Sequence, residues 1–535
     1  MIFQIAKKDF LNNLLSARFI IGFLLCLVLI PFSILINIDD YRDQANQYRL
    51  DRADAENGIK EVRVYSALRP EIIIPPELLS IFSKGLSGQV GNRVKIQLGE
   101  KPMLAEGKRV TGDNPFLASF FSVDFAQIAA IIFSLLALLF SYDVFTKEKE
   151  DGTLRLQMSN SIGRAEFLAG KVLGILATLL PVLVFSLLLS AVLILFSKDV
   201  SFSAFEWGRI GLLFAVSLLY LAVFIFIGLF ISARSKTSVT SLVLCLFLWV
   251  IFIFIIPNLS AYFAESFVPV QSRDNLNRVL DDLEREFGRA LSDGYRAQSI
   301  NEGYSAWWRS SGADGYVETY GNSRLDFEAQ RRRCMISEPL RIDYADKKWA
   351  HQEAYLESLA HQARVAEGLS AVSPAGLFRI IASAVCSTDI RSHETEIDRI
   401  RRYRDVFIRF LQGKNIFESF RYITAAPPET FLIEDQIIEQ RTGGEFKTVQ
   451  AFSAWAAQQK DAWARVQKLS KIKVPGEEPS DFPYLDVSDM PGFLERPTSL
   501  FSGLESTILN IALLLIESIL LFYIGYVAFI RYDVR

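Results

Sequence analysis

Six long apolar stretches constrain this chain more than any other feature: Phe19–Ile38, Phe125–Tyr142, Val172–Ser197, Ile210–Ala233, Thr237–Ala264 and Ser506–Ile530. Each reaches the roughly 20 residues that a helix needs to cross a bilayer. Backbone polar groups in lipid must be satisfied within the segment, so each stretch is expected to be helical. The first five lack internal charge, and the sixth is broken only by Glu517. The predicted fold class is therefore an α-helical polytopic membrane protein with six transmembrane helices. Apolar residues make up 51% of the chain, only slightly above the about 45–50% of soluble proteins; it is their segregation that matters. A net charge of −3, with no polybasic tract or RNA-binding motif, argues against nucleic acid as a partner.

Lys7, Lys8 and Arg18 precede the first stretch in the manner of a signal peptide, but the apolar run is too long and Asn37–Asp40 offers no small-residue cleavage site. An uncleaved anchor is expected. Residues 1–18 read as an amphipathic helix on the inner surface, carrying Lys7, Lys8 and Phe10. Lysine and arginine also fall between the second and third spans (Lys147, Lys149, Arg155, Arg164, Lys171), between the fourth and fifth (Arg234, Lys236), and after the sixth (Arg531, Arg535). The positive-inside rule makes that side cytoplasmic, with both termini inside. Lys198 and Arg209 alone mark the short opposite loop.

Spans are then assigned to 19–38, 122–143, 172–197, 210–233, 237–258 and 504–530, with a cytoplasmic loop at 144–171 and a tail at 531–535. Two segments fall outside, 39–121 and 259–503. In the first, Glu61–Tyr65 and Arg93–Leu98 alternate as half-buried strands do, predicting a small α+β ectodomain. The second, long enough for its own core, is predicted mainly helical. Asp274–Leu291, Tyr344–Leu369 and Thr395–Gln412 repeat the helical apolar period. A proline-rich stretch, Val474–Pro497, returns the chain to the last span.

Cys26 and Cys245 lie within spans and read as packing residues. Cys334 and Cys386 lie outside, where a disulfide is chemically permitted. His351, His361 and His393 lack metal-ligand spacing and read as surface residues. No Cys-x-x-Cys and no Gly-x-Ser-x-Gly elbow appears. Three Gly-Lys pairs (Gly107, Gly170, Gly413) lack both the preceding glycine and the following hydroxyl of a phosphate-binding loop. Leu86–Gln89 ("LSGQ") reads as a coincidental turn. This chain carries no recognisable nucleotide site, so any ATP and Mg would be bound by another polypeptide.

Between the second and third spans lies "FTKEKEDGTLRLQMSNSIGRAEFLAGK" (Phe145–Lys171). Gly152-Thr153 and Ser161–Arg164 are turn signals, suggesting a short helix, a bend and a second short helix re-entering the membrane at Gly170-Lys171. From composition alone it is a solvated loop with anchoring lysines. The stretch from Ser141 to Lys171, however, resembles the cytoplasmic loop of type-2 ABC transporter permeases, in which an acidic Glu-x-Glu-x-Gly-Thr-Leu run precedes an Arg-x5-Gly-Lys re-entry. Gly228–Leu259, "SPAGLFRIIAS" from Ser373 and the closing "FIRYDVR" are similar to the branch of that family with large extracytoplasmic domains. The outer insert exceeds that of the family's compact exporters, so their substrates do not carry over.

The resemblance implies a loop that docks on a cytoplasmic ABC ATPase subunit, with Lys147, Glu148, Glu150, Gly152, Thr153, Arg164 and Lys171 in the coupling role. It implies a bacterial inner-membrane permease paired with a second copy of itself or a paralogue, surrounded by lipid, and free to engage an extracytoplasmic partner protein. Within the membrane, Glu517 and Asn510, seven residues apart on one helix face, form either a polar site at an interface or pathway or a structural hydrogen bond. Pro31, Pro181 and Pro257 are expected kinks or helix ends. Two outcomes of the motion stay open: export, or force transmission to the ectodomains. A membrane-anchored sensor or scaffold without an ATPase is the alternative from another class.

Overall fold

The computed structural model describes residues 2–87, 90–103, 124–158, 163–197, 202–298, 309–311, 318–320, 323–459, 482–494 and 504–531, together with the single positions 461, 464 and 468. Among the described residues, six helices are long and apolar enough to cross a membrane. Helix α1 (Ile2–Leu14) breaks at Ser16, whose hydroxyl accepts from the amide of Phe19 and starts α2 (Ala17–Lys60). With 44 residues, α2 is about 66 Å long at 1.5 Å per residue, twice the hydrocarbon thickness of about 30 Å. Its apolar half lies in the bundle and its polar half, from Asp39, rises beyond it.

The strand expected at Glu61–Tyr65 does not form. Glu61 closes α2, Tyr65–Ala67 is a 3-10 turn, and the Val62 carbonyl is taken by the amide of Leu485. The sheet instead pairs β1 (Glu71–Ile73) antiparallel with β2 (Arg93–Lys95), Ile72 opposite Val94. The second expected strand forms only over its first half, Arg93–Lys95, and its partner was hidden because Ile72-Ile73-Ile74 is an unbroken apolar run without alternation.

Helix α3 (Phe125–Ser141) starts on Asp124, which accepts from the amide of Gln127 at 2.8 Å. Two short helices, α4 (Thr146–Glu150) and α5 (Thr153–Met158), connect it to α6 (Arg164–Phe196). The second short helix expected at Ala165–Leu168 is therefore the first turn of a continuous long one. Helix α7 (Ala204–Arg234) begins with a Ser203–Glu206 capping box. Helix α8 (Ser238–Val250) passes through a π turn at Ile251–Ile255 into α9 (Ile256–Phe267). Pro257 has no amide hydrogen to return to the preceding turn, which is where such a distortion belongs.

Outside the bundle, α10 (Arg273–Ala297) lies against α11 (Arg324–Ser370), with a small hairpin of β3 (Arg309–Ser311) and β4 (Glu318–Tyr320) between them in sequence. These two helices and a later one, Ile390–Gly413, carry the three predicted helical periodicities. Leu276 of α10 and Ala261 and Ala264 of α9 share a core with Tyr355, Leu359, Ala363 and Ala366 of α11. After α12 (Pro374–Val385) come α13 (Ile390–Gly413), α14 (Glu434–Arg441), α15 (Val449–Ala457) and the last span, α16 (Leu504–Ile530).

Three further features differ from expectation. First, α12, expected within the outer domain, belongs to the core of the bundle: Leu377, Phe378, Ile381 and Val385 are buried with residues of α3 and α7, and the Phe378 ring sits 4.7 Å from Tyr220. Second, the two outer segments form one body. Leu68, Ile72, Val94 and Ile96 share a core with Ile397, Ile400, Phe407 and Leu411 of α13. The almost fully buried Arg404 donates to the carbonyls of Gln97 (2.8 Å) and Leu98 (2.5 Å), and Arg401 to those of Pro102 and Met103. Third, Cys334 and Cys386 are both free thiols, buried in separate cores, so the disulfide is absent. Each is consumed by local packing rather than cross-linking. Lys198, Arg535 and residues 474–481 and 495–497 of the proline-rich stretch lie outside the described residues.

Candidate functional site

The charged loop sits at the end of the bundle where the chain begins. Its central helix, α4, is held by four others. The backbone amides of Phe145 and Thr146 donate to the Ser232 hydroxyl of α7 at 3.0 and 3.3 Å. Lys149 Nζ donates to the carbonyls of Ser232, Ala233 and Ser235 at 3.2, 2.8 and 3.1 Å, placing a cation on the open C-terminal end of α7. One residue on, Glu150 accepts from the amide (2.9 Å) and hydroxyl (2.7 Å) of Ser238, placing an anion on the N-terminal end of α8. Adjacent residues of opposite charge thus cap adjacent helix ends of opposite polarity.

Glu148 faces the other way. Its carboxylate meets Lys171 Nζ at 2.5 Å, and the same ammonium reaches Asp9 at 3.1 Å. All three side chains are largely shielded from solvent, with 14%, 7% and 18% exposure. The Lys171 ammonium also lies 5.3 Å from the Phe167 ring. Helices α4, α6 and α1 therefore meet at one carboxylate–ammonium–carboxylate cluster.

Helix α1 reaches it through small residues. Gly170 and Gly174 bring the two backbones so close that a Cβ on Gly170 would meet Ile5 at 2.9 Å and one on Gly174 would meet Asp9 at 2.9 Å. With Asn13 bonded to Thr178 at 3.3 Å, α1 runs along the first turns of α6 in the same direction. Lys7 and Lys8 point to solvent and Phe10 is half-buried. Behind the loop, Phe145, Phe167 and Phe529 stack, with centroids 4.5 Å (Phe145–Phe529) and 5.8 Å (Phe167–Phe529) apart. Arg164 donates to the carbonyl of Ile530 at the end of α16, and Arg18 pairs with Asp143 at 2.8 Å.

Of the seven residues singled out in the loop, Glu148, Lys171, Glu150 and Arg164 have intramolecular partners, and Thr153 lies 3.4 Å from the Glu148 carbonyl. The exposed tip consists of Lys147, Glu150, Asp151, Gly152 and Thr153. Gly152 turns there with φ +69° and open space around it, a conformation that suits glycine. Asp9, Lys149, Ser232 and Ser238 were not anticipated. The Gly-x-x-x-Gly spacing at 170–174 was the available sign that a helix packs on this face.

Glu517 lies away from the loop, its Oε2 buried without a hydrogen-bond partner, and Asn510 is half-buried two turns earlier. Among the described residues, no group of three or more His, Cys, Asp or Glu side chains is arranged to hold a metal. His393 is shielded among helices of the outer body. Desolvation, aided by the nearby Arg401, holds its imidazole down to about 4.

A family model described as ABC-2 family transporter protein matches residues 3–427. No curated protein matches the chain.

Proposed function

Because the chain belongs to the ABC-2 family of transporter proteins, we propose that it is the permease subunit of an ATP-driven complex, and that its α4–α5 loop receives the stroke of a separate cytoplasmic ABC ATPase. In this reading ATP and Mg are bound by that partner, two copies of the chain form the membrane unit, and the loop face is cytoplasmic. One observation carries the reading: a charged tip exposed to solvent, mounted on a helix that clasps the ends of α7 and α8 and is bridged to α1 and α6. A push on such a tip reaches four helices without passing through a flexible segment. Complementary charges at its rim would set the register of docking.

Force transmission to the outer body is favoured over passage of a polar solute. The buried hydroxyls of Thr178, Ser186, Ser190 and Ser217 each donate to a carbonyl of their own helix, at about one-turn spacing, and so do not line a hydrophilic path. The outer body meanwhile enters the bundle through α12. Ser373 at its start bonds the carbonyl of Phe252 in the π turn, and α11, directly before it, packs on α9.

The test uses the tip, because reversing Glu148 or Glu150 would also break contacts that hold the loop. Lys147→Glu with Asp151→Arg should reduce co-purification of the ATPase at least tenfold while the thermal transition of the membrane subunit stays within a few degrees of wild type. Undiminished capture of the ATPase would remove the docking assignment.

A further inference from the structure

A cavity of about 600 Å3 lies where the outer body meets the end of the bundle at which α7 starts. That is the size of a small-molecule site, and it sits where such sites concentrate, between units brought together from distant parts of the chain. One wall is the polar half of α2, with Asp51. The second is the β1–β2 region, with Pro75, Pro76 and Glu77. The third is the corner between α12 and α13, with Ser387, Asp389 and Glu396.

Its charges are unevenly committed. Arg93 and Lys95, the two lining cations, are engaged by carboxylates: Arg93 by Asp51 at 2.8 Å and Glu71 at 3.7 Å, Lys95 by Glu71 at 3.4 Å. Glu396 is paired with Arg399 at 2.5 Å. Among the described residues, Glu77 and Asp389 have no ion pair; burial pushes the Glu77 carboxyl up to about 7, a group that a bound cation would ionise, and the Asp389 carboxylate accepts a single hydroxyl bond, from Ser392. His393 also lines the space, neutral near pH 7 and with Nε2 lacking a hydrogen-bond partner, so it adds no positive charge. Arg209, on the bundle side, donates to the Ser387 hydroxyl at 2.5 Å and acts on Glu77 and Asp389 only through space, without a direct ion pair to either. Ser387 itself holds a left-handed backbone, φ 57°, a strained conformation for serine and of the kind found at binding corners.

We infer that this cavity binds a small organic cation, an amine or guanidinium compound no larger than a dipeptide, with Asp389 and Glu77 holding the charged head and Pro75 and Pro76 covering its aliphatic part. Ser387 and Arg209 join the floor of the site to the start of α7, so occupancy bears on the bundle. Only the side from which the ligand enters rests on the proposed orientation; binding itself does not.

The experiment titrates the purified full-length chain in detergent with spermidine and with the dipeptide Lys-Ala, using Glu-Ala as the anionic control, and reads heat and thermal shift. Saturable, sub-millimolar binding of the amines, absent for Glu-Ala, is expected. Glu77→Gln with Asp389→Asn should weaken it at least tenfold. Asn92→Trp, which fills the space and leaves every carboxylate in place, should abolish it; this variant decides the matter should the double variant fail to fold. No saturable binding of either amine, equal binding of Glu-Ala, or unchanged affinity in Asn92→Trp would overturn the assignment. Loss of amine binding with ATPase capture intact would sink this site alone, whereas lost capture with amine binding intact would sink the docking assignment alone.

Discussion

Lys171 joins three helices through a single ammonium in the loop region. Its ammonium is shared between Asp9 and Glu148 with little solvent to screen it. Removing the charge with Lys171→Met would leave two carboxylates facing each other in a shielded site, and breaking buried pairs of this kind costs about 3–5 kcal/mol. Partial exposure of the carboxylates lowers the expectation here to about 2–3 kcal/mol. A fall in the thermal midpoint of the detergent-purified protein, largely restored by adding Asp9→Asn and Glu148→Gln, is the predicted signature. A single variant as stable as wild type would show that the cluster contributes nothing. The sequence displayed Lys171 and Glu148 as candidates for meeting a partner; their actual engagement with each other depends on a contact 23 positions apart in the chain, which no local pattern reports.

At the scale of elements, the close approach of α1 and α6 depends on two missing side chains. Gly174→Val would drive a branched Cβ into Asp9 and toward the Ala6 carbonyl, 3.2 Å away. In a membrane, where small residues rather than hydrophobic burial set helix association, α1 should then separate. An Asn13→Cys/Thr178→Cys pair should cross-link readily in the parent and at least fivefold less in the Gly174→Val background; equal cross-linking would refute the packing argument. The expected surface helix is thus a packed one: its amphipathic pattern was visible in Lys7, Lys8 and Phe10, but the same pattern suits a lipid surface or a neighbouring helix, and only the two glycines favour the helix.

At the scale of the whole molecule, the outer body is a single unit only while its two sequence segments stay joined. Arg404, bonding two carbonyls from the far side of the chain, is the centre of that joint. Arg404→Met keeps its bulk and removes the donors, leaving the carbonyls of Gln97 and Leu98 without their charged partner; charge-assisted bonds of this kind are worth about 1.5–3 kcal/mol. Limited proteolysis should cut near residues 97–103 several times faster in this variant, with ATPase capture unchanged. An unaltered cleavage pattern would mean that the hydrophobic core joins the segments without help.

The six spans, the three long periodicities of the outer body and the charge of the loop were legible from the sequence, because hydropathy and helical period act over neighbouring residues and need no knowledge of the fold. What only the tertiary structure decided was which charges meet one another and which meet solvent. Glu150 and Lys149 look alike as exposed loop residues, yet each completes a helix end more than 80 positions away. The misplaced strand at Glu61–Tyr65, the absent disulfide and the insertion of α12 into the bundle share this cause. Each was a short segment with two locally acceptable fates, and long-range packing, invisible in a linear pattern, selected between them.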